Sequence, residues 1–155
     1  MDPDSDRKRR SIRLAGFDYT QSGAYFITIC AHRRRKIFSR IEIGEITLST
    51  LGKLIAKYWQ RLPIQNESVL IDEYVIMPNH MHGIVVIDIP RRGTIYRAPT
   101  RIERFGSPVR YSIPTIIRTF KAAVTRQWRS TTQNPSFIVW QRNYYERVIR
   151  DEFEM

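Results

Sequence analysis

Two histidines stand one residue apart in "DEYVIMPNHMHGIVVI", Asp72 to Ile87, where the neighbouring residues otherwise read as apolar strand. Side chains at i and i+2 of a strand share a face. His80 and His82 therefore project together, with Cα atoms about 7 Å apart at a rise of ~3.3 Å per residue. Both imidazoles can then reach one divalent ion. Neutral imidazole suits transition metals, and Mg²⁺ or Mn²⁺ when a phosphate and waters complete the shell. Two ligands are too few for a tight structural zinc site, so the spacing points to a weakly held ion completed by substrate. Met81 is expected on the opposite, core-facing side, with Ile84 and Val86. A His-x-His pair in a strand is more often incidental than metal-binding. Two features favour the metal: the pair supplies two of only three histidines, and the surface around it is strongly basic.

That charge narrows the partner. Twenty-six Lys and Arg against fifteen Asp and Glu give +11 and a pI near 10.3, which points to a polyanion. The basic residues alternate with aromatics and form no amphipathic membrane helix, so nucleic acid fits better than acidic lipid. No apolar run approaches the roughly 20 residues of a membrane span. "MDPDSDRKRR" leads into no apolar signal region. The single Cys30 excludes an internal disulfide and a multi-cysteine zinc site, and implies a reducing cytoplasm, with nucleoid association for a DNA binder.

The elements that must position the histidines can be read from pattern. A length of 155 residues suits one domain, expected at 23–155 behind a basic arm at 1–22. "AYFITICAH", Ala24 to His32, predicts a buried first strand. The basic cluster Arg33 to Lys36 follows, then a short hairpin or loop in "IEIGEITLS" with Gly44 at the turn. Leu51, Leu54, Ile55, Tyr58 and Leu62 recur at helical spacing behind a Ser49 or Thr50 cap, and Pro63 ends that helix. "SVLIDEYVIMPNHMHGIVVI" predicts two antiparallel strands turning at Met77-Pro78-Asn79. Residues 88–111, rich in Pro, Gly and Arg, read as a long mobile basic loop. Ser112 caps a helix whose apolar stripe is Ile113, Ile116, Ile117, Phe120, Val124 and Trp128. "FIVWQR" is expected as a last strand, and "NYYERVIRDEFEM" as the start of another helix. The order predicts an α+β ferredoxin-like sandwich, an antiparallel sheet with helices on one face.

"YVIMPNHMHGIVV" resembles the HUH motif (His, hydrophobic, His) of single-tyrosine transposases, in particular the REP-associated tyrosine transposases. "RRSIRLAGFDYTQSGAYFITICAHRR", "IIRTFKAAVTRQW" and "VWQRNYYERVIRDE" resemble segments of the same family, so the likeness runs from Arg9 to Glu152. It implies binding of single-stranded or hairpin DNA and a divalent metal, Mg²⁺ or Mn²⁺, on His80 and His82. It further implies attack of a tyrosine on a backbone phosphate, leaving a 5′-phosphotyrosine and a free 3′-hydroxyl. Tyrosine is a weak nucleophile with a pKa near 10, so polarisation of the phosphate by a metal lowers the barrier. In the family the nucleophile sits in a Tyr-Ile pair on a longer helix past the "RDE" segment, and an Asn or Gln one turn later is the third ligand. This chain stops at Met155 with no match to either, and Arg147 stands where many relatives have histidine. A shortened form with impaired cleavage is therefore expected, with Tyr144 as fallback nucleophile and Tyr145 beside it.

The candidate DNA contacts are Arg9, Arg10, Arg13, Arg34, Arg35, Arg118, Lys121 and Arg142; Phe17 and Tyr19 are candidates for stacking on bases. Against this reading stand a non-catalytic nucleic-acid-binding module and a metal-dependent phosphodiesterase that activates water. A homodimer is left open.

Overall fold

The computed structural model describes residues 22–88 and 111–149. The basic arm apart from Ser22, the loop apart from Asp88 and Tyr111, and with them Arg9, Arg10, Arg13, Phe17 and Tyr19, lie outside the described residues.

Apolar residues alternating at period two build the central strands. In β1 (Gly23–Cys30), Tyr25, Ile27 and Ile29 are buried and the residues between them face the other side. A tight turn at 32–34 and the hairpin of β2 (Ser39–Glu42) and β3 (Glu45–Leu48) follow. Ile43 and Gly44 both have positive φ, 52° and 80°, as type I′ hairpin turns require. Helix α1 (Thr50–Gln60) is capped by Ser49, whose hydroxyl accepts from the Gly52 N–H at 3.0 Å. It stops before Pro63, which lies in the first turn of the short α2 (Leu62–Gln65). Strands β4 (Val69–Ile76) and β5 (His80–Ile87) pair antiparallel, with a register break between Ile71 and Tyr74. Ser112 caps α3 (Ile113–Thr132), and β6 (Tyr145–Ile149) completes the sheet.

The sheet order is β4-β5-β1-β6, with every neighbouring pair antiparallel. Counting the hairpin as an insertion, this is the βαββαβ order of a ferredoxin-like sandwich, and the α+β fold class holds. One sheet face buries Tyr25, Ile27, Ile29, Val69, Met81, Val85 and Ile87 against Leu51, Ile55 and Trp59 of α1 and Ile116, Ile117, Phe120 and Val124 of α3. The closest approach is at Gly83. A methyl there would land on Cζ2 of Trp59, with Cε2 at 2.9 Å and Cη2 at 3.2 Å. Gly83 thus lets the indole approach the strand closely, one residue past His82.

Three expectations change. Ile84 and Val86 are half-buried on the histidine side, and Gly83, Val85 and Ile87 join Met81 in the core. Period two itself requires this, since 80, 82, 84 and 86 share parity. The segment 137–142 is not a strand; it makes a single bridge, Trp140 to Ala31. Two of its carbonyls go to side chains of α3 instead: Phe137 O accepts from Arg129 Nε at 2.9 Å and Gln141 O from Lys121 Nζ at 2.8 Å. Tyr145–Ile149 is a strand where a helix was expected. It pairs with the outer edge of β1, which would otherwise present unsatisfied backbone groups.

Candidate metal centre

The histidines are placed by the turn at 77–79. Met77 N–H donates to His80 O at 2.8 Å and closes it. Ala31 N–H on Asn79 O (2.9 Å) and Phe38 N–H on Pro78 O (3.0 Å) hold it from outside. The Met77 N–H and the carbonyls of Pro78 and Asn79 are thereby engaged, and β5 starts at His80 with a defined register against β1: Cys30 opposite His80, Thr28 opposite His82.

Both rings lie half-buried on the sheet face away from the helices. Their Nε2 atoms approach to 3.1 Å, with ring centroids 4.7 Å apart and planes at 77°. The remaining nitrogens are engaged elsewhere. His80 Nδ1 lies 2.7 Å from Asn79 Oδ1, and His82 Nδ1 lies 2.8 Å from Thr28 Oγ1. Phe26 stacks on His82 at 5.1 Å and 27° and restrains its tilt. Burial, and secondarily the Arg34 charge, hold the His80 pKa below the usual 6.5. Burial, then His80, do the same for His82. Both rings are thus neutral near pH 7, the form that offers a lone pair.

The residues fit a divalent ion. Two nitrogens bound to one ion at about 2.0–2.1 Å stand roughly 3 Å apart at inter-ligand angles near 90–100°, the separation found here. Partners on the far nitrogens are the usual means of aiming imidazoles at a metal. Among the described residues no group of three or more His, Cys, Asp and Glu could hold an ion. The pair would therefore share its ion with other donors.

The basic candidates are not gathered at one spot. Arg34 is exposed and close enough to depress His80; it and Arg33 have positive φ, 52° and 55°, a conformation costing roughly 1 kcal/mol or more per non-glycine residue. Arg35 is tied to the chain: Nη2 donates to Ile138 O at 2.7 Å, and its guanidinium lies 5.0 Å over the Phe137 ring. Arg118 is exposed on α3, in the helical layer on the other side of the sheet. Lys121 donates to Gln141 O and Asn143 O, both at 2.8 Å, and burial brings its pKa down to about 8. Arg142 lines a cavity of about 110 Å³ with Cys30, Asn143, Tyr144 and Tyr145. Cys30 itself is buried with a free thiol.

The two tyrosines face different ways. The Tyr144 hydroxyl is buried. Tyr145 is 46% exposed and stands opposite Thr28, on the histidine side of the sheet. Thr28, Phe26 and Asn79 were missed as site residues from sequence. Only Asn79 carried a signal, its adjacency to His80; the other two come into view through the β1–β5 register.

No protein-family model matches the chain. An uncharacterized protein of Haemophilus influenzae (strain Rd) is 41% identical over 148 residues, covering 93% of this chain and 80% of the relative. A REP-associated tyrosine transposase bound to a REP hairpin superposes with a TM-score of 0.55 at 17% identity, over 92% of this chain and 65% of that one. A Deinococcus radiodurans R1 protein assigned as a candidate transposase gives 0.53 at 13% identity, over 92% and 88%. At these identities the two structures establish a transposase-like fold. None of the described helices is long and apolar enough to cross a membrane.

Proposed function

We propose that this chain, which belongs to the same family as the Haemophilus influenzae protein, is a transposase-like DNA-binding protein that recognises single-stranded or hairpin DNA beside a divalent ion held by His80 and His82. The observation that carries the reading is the pair of Nε2 atoms 3.1 Å apart, each ring tied back through its other nitrogen. When bound, Mg²⁺ or Mn²⁺ supplies a Lewis acid for a phosphate oxygen. The chain's own residues do the rest. Neutral imidazoles leave the net positive charge of the site to the ion and to Arg34, so a phosphodiester is attracted there. Arg142, at the neighbouring cavity, extends the positive surface along the strand of DNA. Stacking on Phe26 and Tyr145 suits unpaired bases.

Strand cleavage and rejoining by a tyrosine is the activity that goes with this reading: the phenol oxygen bonds to phosphorus as the 3′-oxygen leaves and takes up a proton. Between the two tyrosines of the candidate segment, exposure on the histidine side favours Tyr145 over Tyr144 for contact with DNA.

A labelled DNA hairpin with a single-stranded flank, incubated with the protein and Mn²⁺, tests the proposal. Retention that weakens steeply with salt and loses its Mn²⁺ dependence in the His80→Ala/His82→Ala variant is the expected result. Retention indifferent to both Mn²⁺ and the double substitution favours a non-catalytic binding module, and hydrolysis without a protein–DNA adduct favours a phosphodiesterase. An adduct lost in Tyr145→Phe assigns the nucleophile, and one that survives both Tyr144→Phe and Tyr145→Phe places it elsewhere.

A further inference from the structure

We infer that Thr28 is a positioning residue for the metal centre, acting through His82 by reversing the direction of one hydrogen bond. The inference rests on the metal reading above and starts from the hydrogen bonds that the two rings make. Four groups form a row: Thr28 Oγ1 to His82 Nδ1 (2.8 Å), His82 Nε2 to His80 Nε2 (3.1 Å), and His80 Nδ1 to Asn79 Oδ1 (2.7 Å). An amide oxygen only accepts, so His80 carries its proton on Nδ1 and presents a bare Nε2. Two bare nitrogens at 3.1 Å would repel, so His82 donates from Nε2. Its Nδ1 is then an acceptor, and the Thr28 hydroxyl donates to it. Asn79 thereby fixes the direction of every bond in the row.

An ion shared by the two rings requires a lone pair on both Nε2 atoms. His80 already presents one and does not change. His82 must give up its Nε2 proton to solvent and take one on Nδ1, and the bond to Thr28 then runs the other way, with the hydroxyl accepting. A hydroxyl can serve both states because it both donates and accepts. Threonine has a further advantage over serine on a strand, since its branched Cβ limits χ1 and keeps the oxygen near the ring. The residue lies directly opposite His82 in the β1–β5 register, so no loop motion is needed. Thr28 neither touches DNA nor enters the ion's shell in this account. It stabilises whichever tautomer the occupancy of the site demands, and His82 pays no hydrogen bond on switching.

The test combines imidazole ¹⁵N NMR with calorimetric titration of Mn²⁺, using wild type, Thr28→Val and Thr28→Ser. In the metal-free wild type the expected pattern is His82 protonated on Nε2 and His80 on Nδ1; added Zn²⁺, a diamagnetic probe, moves both to Nδ1–H. Thr28→Val keeps the strand shape, and should show mixed His82 tautomers and Mn²⁺ affinity lower by about tenfold or more, the range for lost outer partners of metal-bound histidines. Thr28→Ser should restore affinity to within about threefold on the same scale. Affinity in Thr28→Val equal to wild type, or His82 already Nδ1–H in the metal-free wild type, overturns the inference. Failure of the wild type to bind Mn²⁺ at all defeats the metal reading instead, and the metal-free tautomer pattern then judges the hydrogen-bonded row by itself.

Discussion

Replacing Gly83 with alanine tests how the core supports the histidine strand. The added methyl would overlap Cζ2 of Trp59 and lie 2.9 Å from Cε2 and 3.2 Å from Cη2. The indole cannot easily retreat: Trp59 is 0% exposed and sits edge-on to Phe120, centroids 5.3 Å apart. Overpacking of this kind costs about 1–3 kcal/mol. For a domain of this size each kcal/mol lowers Tm by roughly 2–4 °C, so a fall of about 2–12 °C is expected. Trp59→Phe deletes the ring atoms that the methyl meets. Gly83→Ala in that background should therefore cost less than in wild type, with a coupling of about 1 kcal/mol or more in a double-mutant cycle. Thermal denaturation of the four proteins gives the answer. Additive effects, or Gly83→Ala as stable as wild type, would refute the claim that indole and strand are in direct contact beneath the site.

Two further outcomes are expected. Because His80 and His82 have folded pKa values below 6.5, Mn²⁺ affinity should hold to a lower pH than an unperturbed histidine pair allows and fall as pH drops through the folded values; a fall-off that breaks at or above about pH 6.5, the unperturbed histidine value, would contradict the depressed pKa values. The same sign applies to stability, which these groups support above pH 6.5 and cease to support as pH falls through their folded pKa values. Lys121→Met removes two donors from the carbonyls of Gln141 and Asn143, and should lower stability by about 1–3 kcal/mol, read by urea denaturation; an unchanged midpoint would show that the segment before β6 is held by other contacts.

Much of this architecture was legible because it is local. Ser49 and Ser112 cap the helices they precede, Gly44 turns its hairpin, and the stripe from Ile113 to Val124 is buried as its spacing requires. The shared face of His80 and His82 follows from period two alone, and the same period puts Ile84 and Val86 on that face rather than in the core. The C-terminal segment misled for a physical reason. "YERVI" is short, carries two charges and has no long periodic run, so its conformation is decided by pairing with β1, a contact more than a hundred residues away. "FIVWQR" has strand-like composition, yet its backbone is claimed by Lys121 and Arg129. The partners of the histidines were equally invisible. Thr28 stands 54 residues from His82, and only the register of β1 on β5 brings the hydroxyl to the ring.

The central claim is that the two imidazoles share one cation. Crystals soaked in Mn²⁺ and measured for anomalous scattering address it most directly. A single peak on the order of 2 Å from both His80 Nε2 and His82 Nε2 is expected. A peak bound to one imidazole alone, or ions found only elsewhere while the two rings remain hydrogen-bonded to each other, would contradict it.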